Sequence, residues 1–113
     1  MPGEPRRRKY GNQPVEVDGI RFDSKREAAR WGILRLMEQA GEIRDLQRQV
    51  RFPLEVNGVK VTTYVADFTY RDPKLPLERG SFVVEDAKGC RTREYLLKRK
   101  LMKAIHGVEV KET

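Results

Sequence analysis

The stretch Phe82-Val83-Val84-Glu85-Asp86-Ala87-Lys88-Gly89 begins like a buried β-strand and ends in charged residues. A carboxylate and an ammonium at the end of such a strand cost desolvation free energy unless they are paired or bind a metal. Because side chains alternate along a strand, Asp86 and Lys88 share one face and Glu85 points to the other. We therefore predict an Asp-x-Lys pair on one face and a surface or salt-bridging Glu85 on the opposite one.

A second isolated acid, Asp67, lies in the apolar and aromatic segment Tyr64-Val65-Ala66-Asp67-Phe68-Thr69-Tyr70. One proline-containing loop separates this segment from Asp86, so the two strands are expected to be neighbours in a sheet. Two carboxylates brought together repel, which raises one pKa or recruits a divalent cation. Oxygen ligands in a basic surround suit Mg²⁺ or Mn²⁺, with a substrate phosphate completing the coordination shell. The alternative is that both acids form structural ion pairs with Lys88 or with arginines.

Lys88 has a chemical use beside such a cation. A bound metal lowers the pKa of its water and neutralises phosphate oxygens. The lysine would then orient or deprotonate the attacking water, or stabilise charge in the transition state.

The hydrophobic pattern predicts a mixed α/β fold, with an N-terminal hairpin followed by the order α-β-β-β-α-β. Asp18-Gly19 and Asn57-Gly58 are two-residue hairpin signals. Ser24 is a good helix N-cap, Gly41 is a good helix stop, and Thr92 caps a second helix. The apolar face of the first helix is predicted to contain Ala29, Ile33, Met37 and Ala40, widened by Trp31, Leu34 and Leu36. The predicted strands are residues 46–56, 59–70, 82–88 and 108–110, the last reached by a parallel right-handed crossover.

Charge points to a polyanionic partner. The 113-residue chain has a formal net charge of +7, and its cations are clustered. Lys and Arg gain free energy at phosphates by counterion release, so nucleic acid is the leading partner, and general solubility is the alternative. Residues 1–13 are predicted to be a flexible basic arm and residues 14–113 a single domain. The candidate DNA-binding residues are Arg6, Arg7, Arg8, Lys9, Arg91, Arg93, Lys98 and Arg99.

Other classes of protein are disfavoured. The single cysteine, Cys90, cannot pair within the chain, which favours a reducing, cytoplasmic location. No apolar run approaches the roughly twenty residues that span a membrane, so no membrane partner is expected. The one histidine, His106, has no partner set for a Ser-His or Cys-His mechanism.

The residues resemble the PD-(D/E)xK nuclease superfamily, through Asp67 and Asp86-Ala87-Lys88 on the order α-β-β-β-α-β. They are similar, more closely, to a small bacteriophage and prophage family, over nearly the whole chain after the arm. The segments that carry this second resemblance are Lys9-Tyr10-Gly11-Asn12, residues 17–28, residues 41–46 and residues 84–89. Ala66 stands where the superfamily name has proline, a substitution that many relatives share.

The resemblance implies a restriction-endonuclease-like fold and a role for each motif residue. Asp67 and Asp86 would bind Mg²⁺ or Mn²⁺, Ala87 would lend its backbone carbonyl, and Lys88 would be the motif lysine. Glu27 would match the helix acid that reaches the metal directly or through water. Ser24-x-x-Glu27 also matches a capping box, which would tie Glu27 to the helix start without any chemistry.

These observations predict a metal-dependent DNA endonuclease that is selective for DNA structure or only weakly for sequence. Single-stranded or branched DNA is the expected substrate in phage DNA processing, including the resolution of four-way junctions by a homodimer. The rival prediction is a basic DNA-binding module without catalysis, in which the acids are structural.

Overall fold

The protein is a mixed α+β domain whose main sheet has four strands. The structure, a computed structural model, describes residues 14–75, 81–88 and 91–113. Its elements are β1 (Val15–Val17), β2 (Ile20–Phe22), α1 (Lys25–Gln39), β3 (Arg44–Val56), β4 (Val59–Arg71), β5 (Phe82–Asp86), α2 (Arg93–Leu101) with a π-helical continuation (Met102–His106), and β6 (Lys111–Glu112). The sheet order is β3-β4-β5-β6, and β1 and β2 form a separate hairpin. The predicted fold class and element order are confirmed, whereas the predicted arm with Arg6, Arg7, Arg8 and Lys9 lies outside the described residues.

Both predicted hairpins are present, and their turn residues explain them. Asp18 and Gly19 have φ angles of 54° and 76°, and Asn57 and Gly58 have φ angles of 52° and 80°. Two successive positive φ values give the turn whose twist matches that of the flanking strands. Antiparallel pairing of β1 with β2 and of β3 with β4 follows.

Helix α1 begins and ends as predicted, but it presents a different face to the core. The Ser24 hydroxyl accepts from the backbone N–H of Glu27 at 3.2 Å, and Gly41 has a φ of 79°. The buried α1 residues are Glu27, Ala28, Trp31 and Leu34. Ile33 and Leu36 are 49% and 68% exposed, so the predicted apolar face was wrong at these two positions, whereas Trp31 and Leu34 are buried as predicted.

The position of Trp31 accounts for the rotation of α1. Its ring lies 6.0 Å from that of Phe22 and 6.2 Å from that of Phe68, measured between centroids. An aromatic side chain buries more apolar area than any other candidate on this helix. The face that buries Trp31 is therefore favoured over the face that would bury Ile33 and Leu36.

The last strand is parallel to β5, as predicted, but it lies later in the chain. Glu85 pairs with Lys111 and Asp86 pairs with Glu112, so the predicted strand at residues 108–110 was wrong. Val110 is instead 3% exposed and packs in the core with Tyr95 and Met102. The apolar residues of this segment fill the core on the approach to the strand.

Strand β4 changes face at Asp67. Residues two apart on a regular strand share a face. Phe68 and Tyr70 nevertheless pack in the cluster around Trp31, whereas Tyr64 and Ala66 pack in the cluster around Tyr95. The alternation is therefore interrupted between Ala66 and Phe68.

Strand β3 also changes face, at Gln49, which lies across from Asp67 of β4. Arg48 pairs with Phe68 and lies over the ring of Phe22, in the cluster that contains α1. Phe52 and Leu54 belong to the other cluster, beside α2. Gln49 lies between these two sets with a φ of 51°, in the left-handed region. The β3–β4 ribbon thus has one cross-section, Gln49 and Asp67, where it turns from one core to the other.

Candidate active site

The change of face brings Asp67 and Asp86 together through reciprocal hydrogen bonds. The backbone N–H of Asp67 donates to Asp86 Oδ1 at 3.2 Å, and the backbone N–H of Ala87 donates to Asp67 Oδ2 at 2.9 Å. The regular β4–β5 pairing ends at Phe68 and Glu85, one step before these residues. Each carboxylate therefore accepts from a backbone N–H just beyond the end of the regular pairing. The predicted proximity of the two acids is present in the structure.

Asp86 is buried and strongly perturbed. It is 1% exposed. Burial, and then the negative charge of Asp67, raise its pKa above the ordinary value. The Tyr64 hydroxyl donates a short hydrogen bond to Asp86 Oδ2 and opposes this rise, as does the nearby charge of Lys88. Among the described residues, Tyr64 and Lys88 only partly offset the cost of holding Asp86 in its charged form.

Glu27 joins the site through Gln49. The Gln49 side-chain amide donates to Glu27 Oε2 at 3.0 Å and faces Asp67 Oδ1 at 3.5 Å. Glu27 is 4% exposed. Burial, followed by the charges of Asp67 and Asp23, raises its pKa to about 7. Ser24 caps the backbone N–H of Glu27, while the Glu27 carboxylate accepts from Gln49, so the helix cap does not occupy the carboxylate.

Lys88 lies at the rim of the same site. Its Nζ is 4.4 Å from the centroid of the Tyr95 ring, a cation–π contact that holds the ammonium in place. Its backbone N–H donates to the Thr113 carbonyl at 3.2 Å, and the Thr113 N–H donates to the Asp86 carbonyl at 2.9 Å. The continuation of the chain past β6 therefore fixes the backbone that carries Asp86 and Lys88.

Arg48 is a site residue that the sequence pattern did not indicate. Its guanidinium carbon lies 4.5 Å from the centroid of the Phe22 ring and 5.8 Å from that of Trp31. Its charge lowers the pKa of Glu27, and within the described residues its buried Nε has no hydrogen-bond partner. The sequence pattern predicts that an arginine in an alternating strand faces solvent. Arg48 faces the core because β3 changes face at Gln49.

Glu85 was predicted to be a surface or salt-bridging residue, and only the second prediction is correct. Its side chain is fully buried. Arg30 donates from Nε and Nη2 to its two oxygens at 2.5 and 3.0 Å, and the Tyr70 hydroxyl adds a third bond. The hydrogen bonds from Arg30 and Tyr70 outweigh the desolvation and hold the pKa of Glu85 below its usual value. Glu85 is thus a neutralised structural acid on the face opposite to Asp86.

The predicted DNA-binding residues of the second basic block lie on α2 or, for Arg91, just before it, and several are already paired. Arg91 and Arg99 both donate to Glu112, at 2.7 and 3.1 Å, and the Tyr95 hydroxyl donates to the same carboxylate. Lys98 pairs with Glu94 one turn away at 3.0 Å. Arg93 is exposed. The pairs reduce the net positive charge that this helix presents.

The acids Glu27, Asp67 and Asp86 do not form a compact three-ligand metal site in this structure. Among residues 14–75, 81–88 and 91–113, no three Asp, Glu, His or Cys side chains converge closely enough to hold a metal ion. What does converge is a pair of acids, Asp67 and Asp86, with Glu27 tethered to the first of them through an amide. No helix in the described part of the chain is long and apolar enough to cross a membrane.

Fold and site together define a mixed α+β protein with a carboxylate and lysine site at the point where its long β-ribbon changes core. The chain belongs to the family described as "Protein of unknown function (DUF1064)", whose model matches residues 7–113. No curated protein and no solved structure matches the chain significantly.

Proposed function

We propose that this protein is a Mg²⁺-dependent endodeoxyribonuclease of the PD-(D/E)xK type. The observation that carries the proposal is the reciprocal hydrogen bonding of Asp67 and Asp86, with Lys88 on the same side of the sheet. Placing two repelling acids in contact raises the free energy of the protein unless a cation joins them. The net charge of +7 on the whole chain supports a polyanionic substrate.

The donor set fits a hard divalent cation. The candidate ligands are the carboxylates of Asp67 and Asp86, the Ala87 carbonyl and, directly or through water, Glu27. All are oxygen donors of the kind that Mg²⁺ and Mn²⁺ prefer. Each Asp oxygen accepts one protein hydrogen bond, which leaves a second lone pair for coordination. When bound, the cation supplies an activated water and neutralises charge on the phosphate.

The protein's own residues do the positioning. Lys88 stands beside Asp86, held over the Tyr95 ring, where its ammonium would orient the attacking water or stabilise the charge that develops on the phosphate oxygens. Tyr64 and the Asp67 backbone N–H fix the Asp86 carboxylate so that it does not rotate away. Pre-oriented groups of this kind lower the barrier because little rearrangement is needed at the moment of reaction.

The substrate that we propose is single-stranded or branched DNA, cut in the course of phage DNA processing inside a bacterial host. The charged residues of α2 would contact phosphates, which position DNA without reading its sequence. A homodimer would present two sites to a branched substrate.

The test is cleavage of labelled single-stranded, duplex, flap and four-way junction DNA with Mg²⁺, Mn²⁺ or EDTA. We expect metal-dependent cutting that Lys88→Met abolishes and Lys60→Met retains, since Lys60 is an exposed lysine next to the β3–β4 turn and has no role in the proposed site. Asp67→Asn should bind DNA at least as tightly as the wild type in EDTA and should not cut. Binding without cutting, in each metal and at several salt concentrations, would refute the nuclease.

A second candidate function is a DNA-binding module without catalysis. It is favoured by one observation: every oxygen of Asp67 and Asp86 already accepts a hydrogen bond from the protein. Structural acids satisfied in this way need no cation. A binder of this kind would bind DNA equally well in Mg²⁺ and in EDTA and would cut none of the substrates, whereas the nuclease would cut only with the metal.

A further inference from the structure

Gln49 has a left-handed backbone conformation in the middle of a strand, at the point where β3 changes face. Its φ of 51° lies in the left-handed region, which costs a non-glycine residue about 1 kcal/mol. It lies between Arg48 and Val50, whose partners Phe68 and Ala66 are in unbroken register. The positive φ accompanies the change of face between Arg48 and Phe52, and glycine would adopt it without strain. Glutamine at this position therefore points to a use for the side chain.

The side chain of Gln49 reaches two acids at once. Its single Nε2 lies 3.0 Å from Glu27 Oε2 and 3.5 Å from Asp67 Oδ1. An amide NH₂ carries two hydrogens and a partial positive charge, so it can donate to one carboxylate with each hydrogen. In this arrangement it occupies the place between two anions where a cation would be most stable. Gln49 itself is exposed, so solvent and ions reach it.

We propose that Gln49 is the positioning residue of the cation site. In the metal-free protein its amide nitrogen bridges the carboxylates of Glu27 and Asp67. When the cation binds, the terminal amide rotates by half a turn. Because amide oxygen and nitrogen occupy equivalent positions, the rotation replaces the donor with a carbonyl oxygen that faces the cation or its water. This inference rests on the metal site of the proposed function.

The strained backbone is what makes the position specific. A left-handed residue redirects the strand, so the Gln49 side chain points to the α1 end of the site, while Phe52 and Leu54 pack towards α2. A glycine at position 49 would keep this backbone without strain and would remove only the amide. Gln49→Gly therefore separates the role of the side chain from that of the backbone.

The experiment measures Mn²⁺ affinity by calorimetry without DNA, together with stability in urea, for the wild type, Gln49→Gly, Gln49→Glu and the control Gln47→Gly. Gln47 is exposed on the same strand and pairs with Thr69. We expect Gln49→Gly to fold and to bind Mn²⁺ at least tenfold more weakly. Gln49→Glu should bind at least tenfold more tightly, because it supplies an anionic oxygen in the same place. Gln47→Gly should bind like the wild type.

Solution NMR gives a readout that is independent of affinity. The Gln49 side-chain NH₂ signals, assigned by their loss in Gln49→Gly, should shift when Mg²⁺ is added, and those of Gln47 should not. Wild-type affinity in Gln49→Gly, or NH₂ signals that do not respond to Mg²⁺, would overturn the positioning role while leaving the nuclease standing. A wild-type protein that binds neither cation would refute the metal site itself, and this inference with it.

Discussion

Replacing Glu27 by glutamine should stabilise the metal-free protein at alkaline pH and leave it unchanged at acidic pH. The pKa of Glu27 rises from 4.5 to about 7 on folding, chiefly because the carboxyl is buried and lies near Asp67. The folded state therefore holds this proton more tightly than the unfolded chain does. Between about pH 4.5 and about pH 7 the unfolded chain has lost this proton and the folded state still holds it. The free energy of unfolding therefore falls as the pH rises through this range.

The magnitude follows from the size of the rise. A difference of about 2.5 pH units, at about 1.4 kcal/mol for each unit, gives an upper bound of roughly 3 kcal/mol at pH 8. Glutamine carries no charge, and its carbonyl oxygen still accepts the hydrogen bond from Gln49. At pH 8, Glu27→Gln should thus be more stable than the wild type by roughly 1 to 3 kcal/mol. Near pH 4 the two proteins should be equally stable.

The assay is urea unfolding at both pH values in EDTA, with Glu16→Gln as the matched control because Glu16 is exposed on β1. The control should change stability by less than about 0.5 kcal/mol at either pH. Added Mg²⁺ should narrow the difference at pH 8 by stabilising the wild type. A Glu27→Gln protein that is destabilised equally at both pH values would refute this reasoning, since it would show a purely structural carboxylate.

Three further substitutions test other contacts of the fold and site. Arg30→Ala leaves the fully buried Glu85 without its guanidinium, and urea unfolding should show a loss of roughly 3–5 kcal/mol; a loss below about 1 kcal/mol would contradict the need for this pair. Tyr64→Phe removes a donor to the charged form of Asp86, so NMR titration should show a further rise in the pKa of that carboxyl, and an unchanged pKa would count against the contact. Glu112→Gln releases the two arginines that it holds, so anisotropy should show tighter DNA binding and a salt dependence steeper by about one unit of slope or more; an unaltered slope would place DNA elsewhere.

Local signals in the sequence were sufficient for most of the fold. The two turn dipeptides, the Ser24 cap and the Gly41 stop act over a few residues, so their effect is visible without knowledge of the tertiary structure. Asp67 and Asp86 were also recognisable, because an acid inside an apolar strand has few inexpensive explanations. Their proximity needed only the expectation that neighbouring strands pair.

Long-range packing was beyond the reach of the sequence pattern. The rotation of α1 depends on where the rings of Phe22 and Phe68 lie, which no spacing within the helix records. The full burial of Glu85 depends on Arg30, a residue from a different element. The role of Gln49 depends on a backbone angle that glutamine rarely adopts, so a propensity argument assigns it to an ordinary strand.

The change of face at Gln49 and Asp67 divides the interior into two small cores that share one ribbon. Among the described residues each core contains only seven buried hydrophobic side chains, and small cores are only marginally stable. Their cooperation therefore depends on the cross-section where the acids also lie. A ligand bound at this cross-section would make the two cores unfold together. Without a ligand, the repulsion between Asp67 and Asp86 would allow each core to unfold separately. Thermal unfolding should then occur in two steps without metal and in one step with it. This result would show that metal binding between the two cores couples their unfolding.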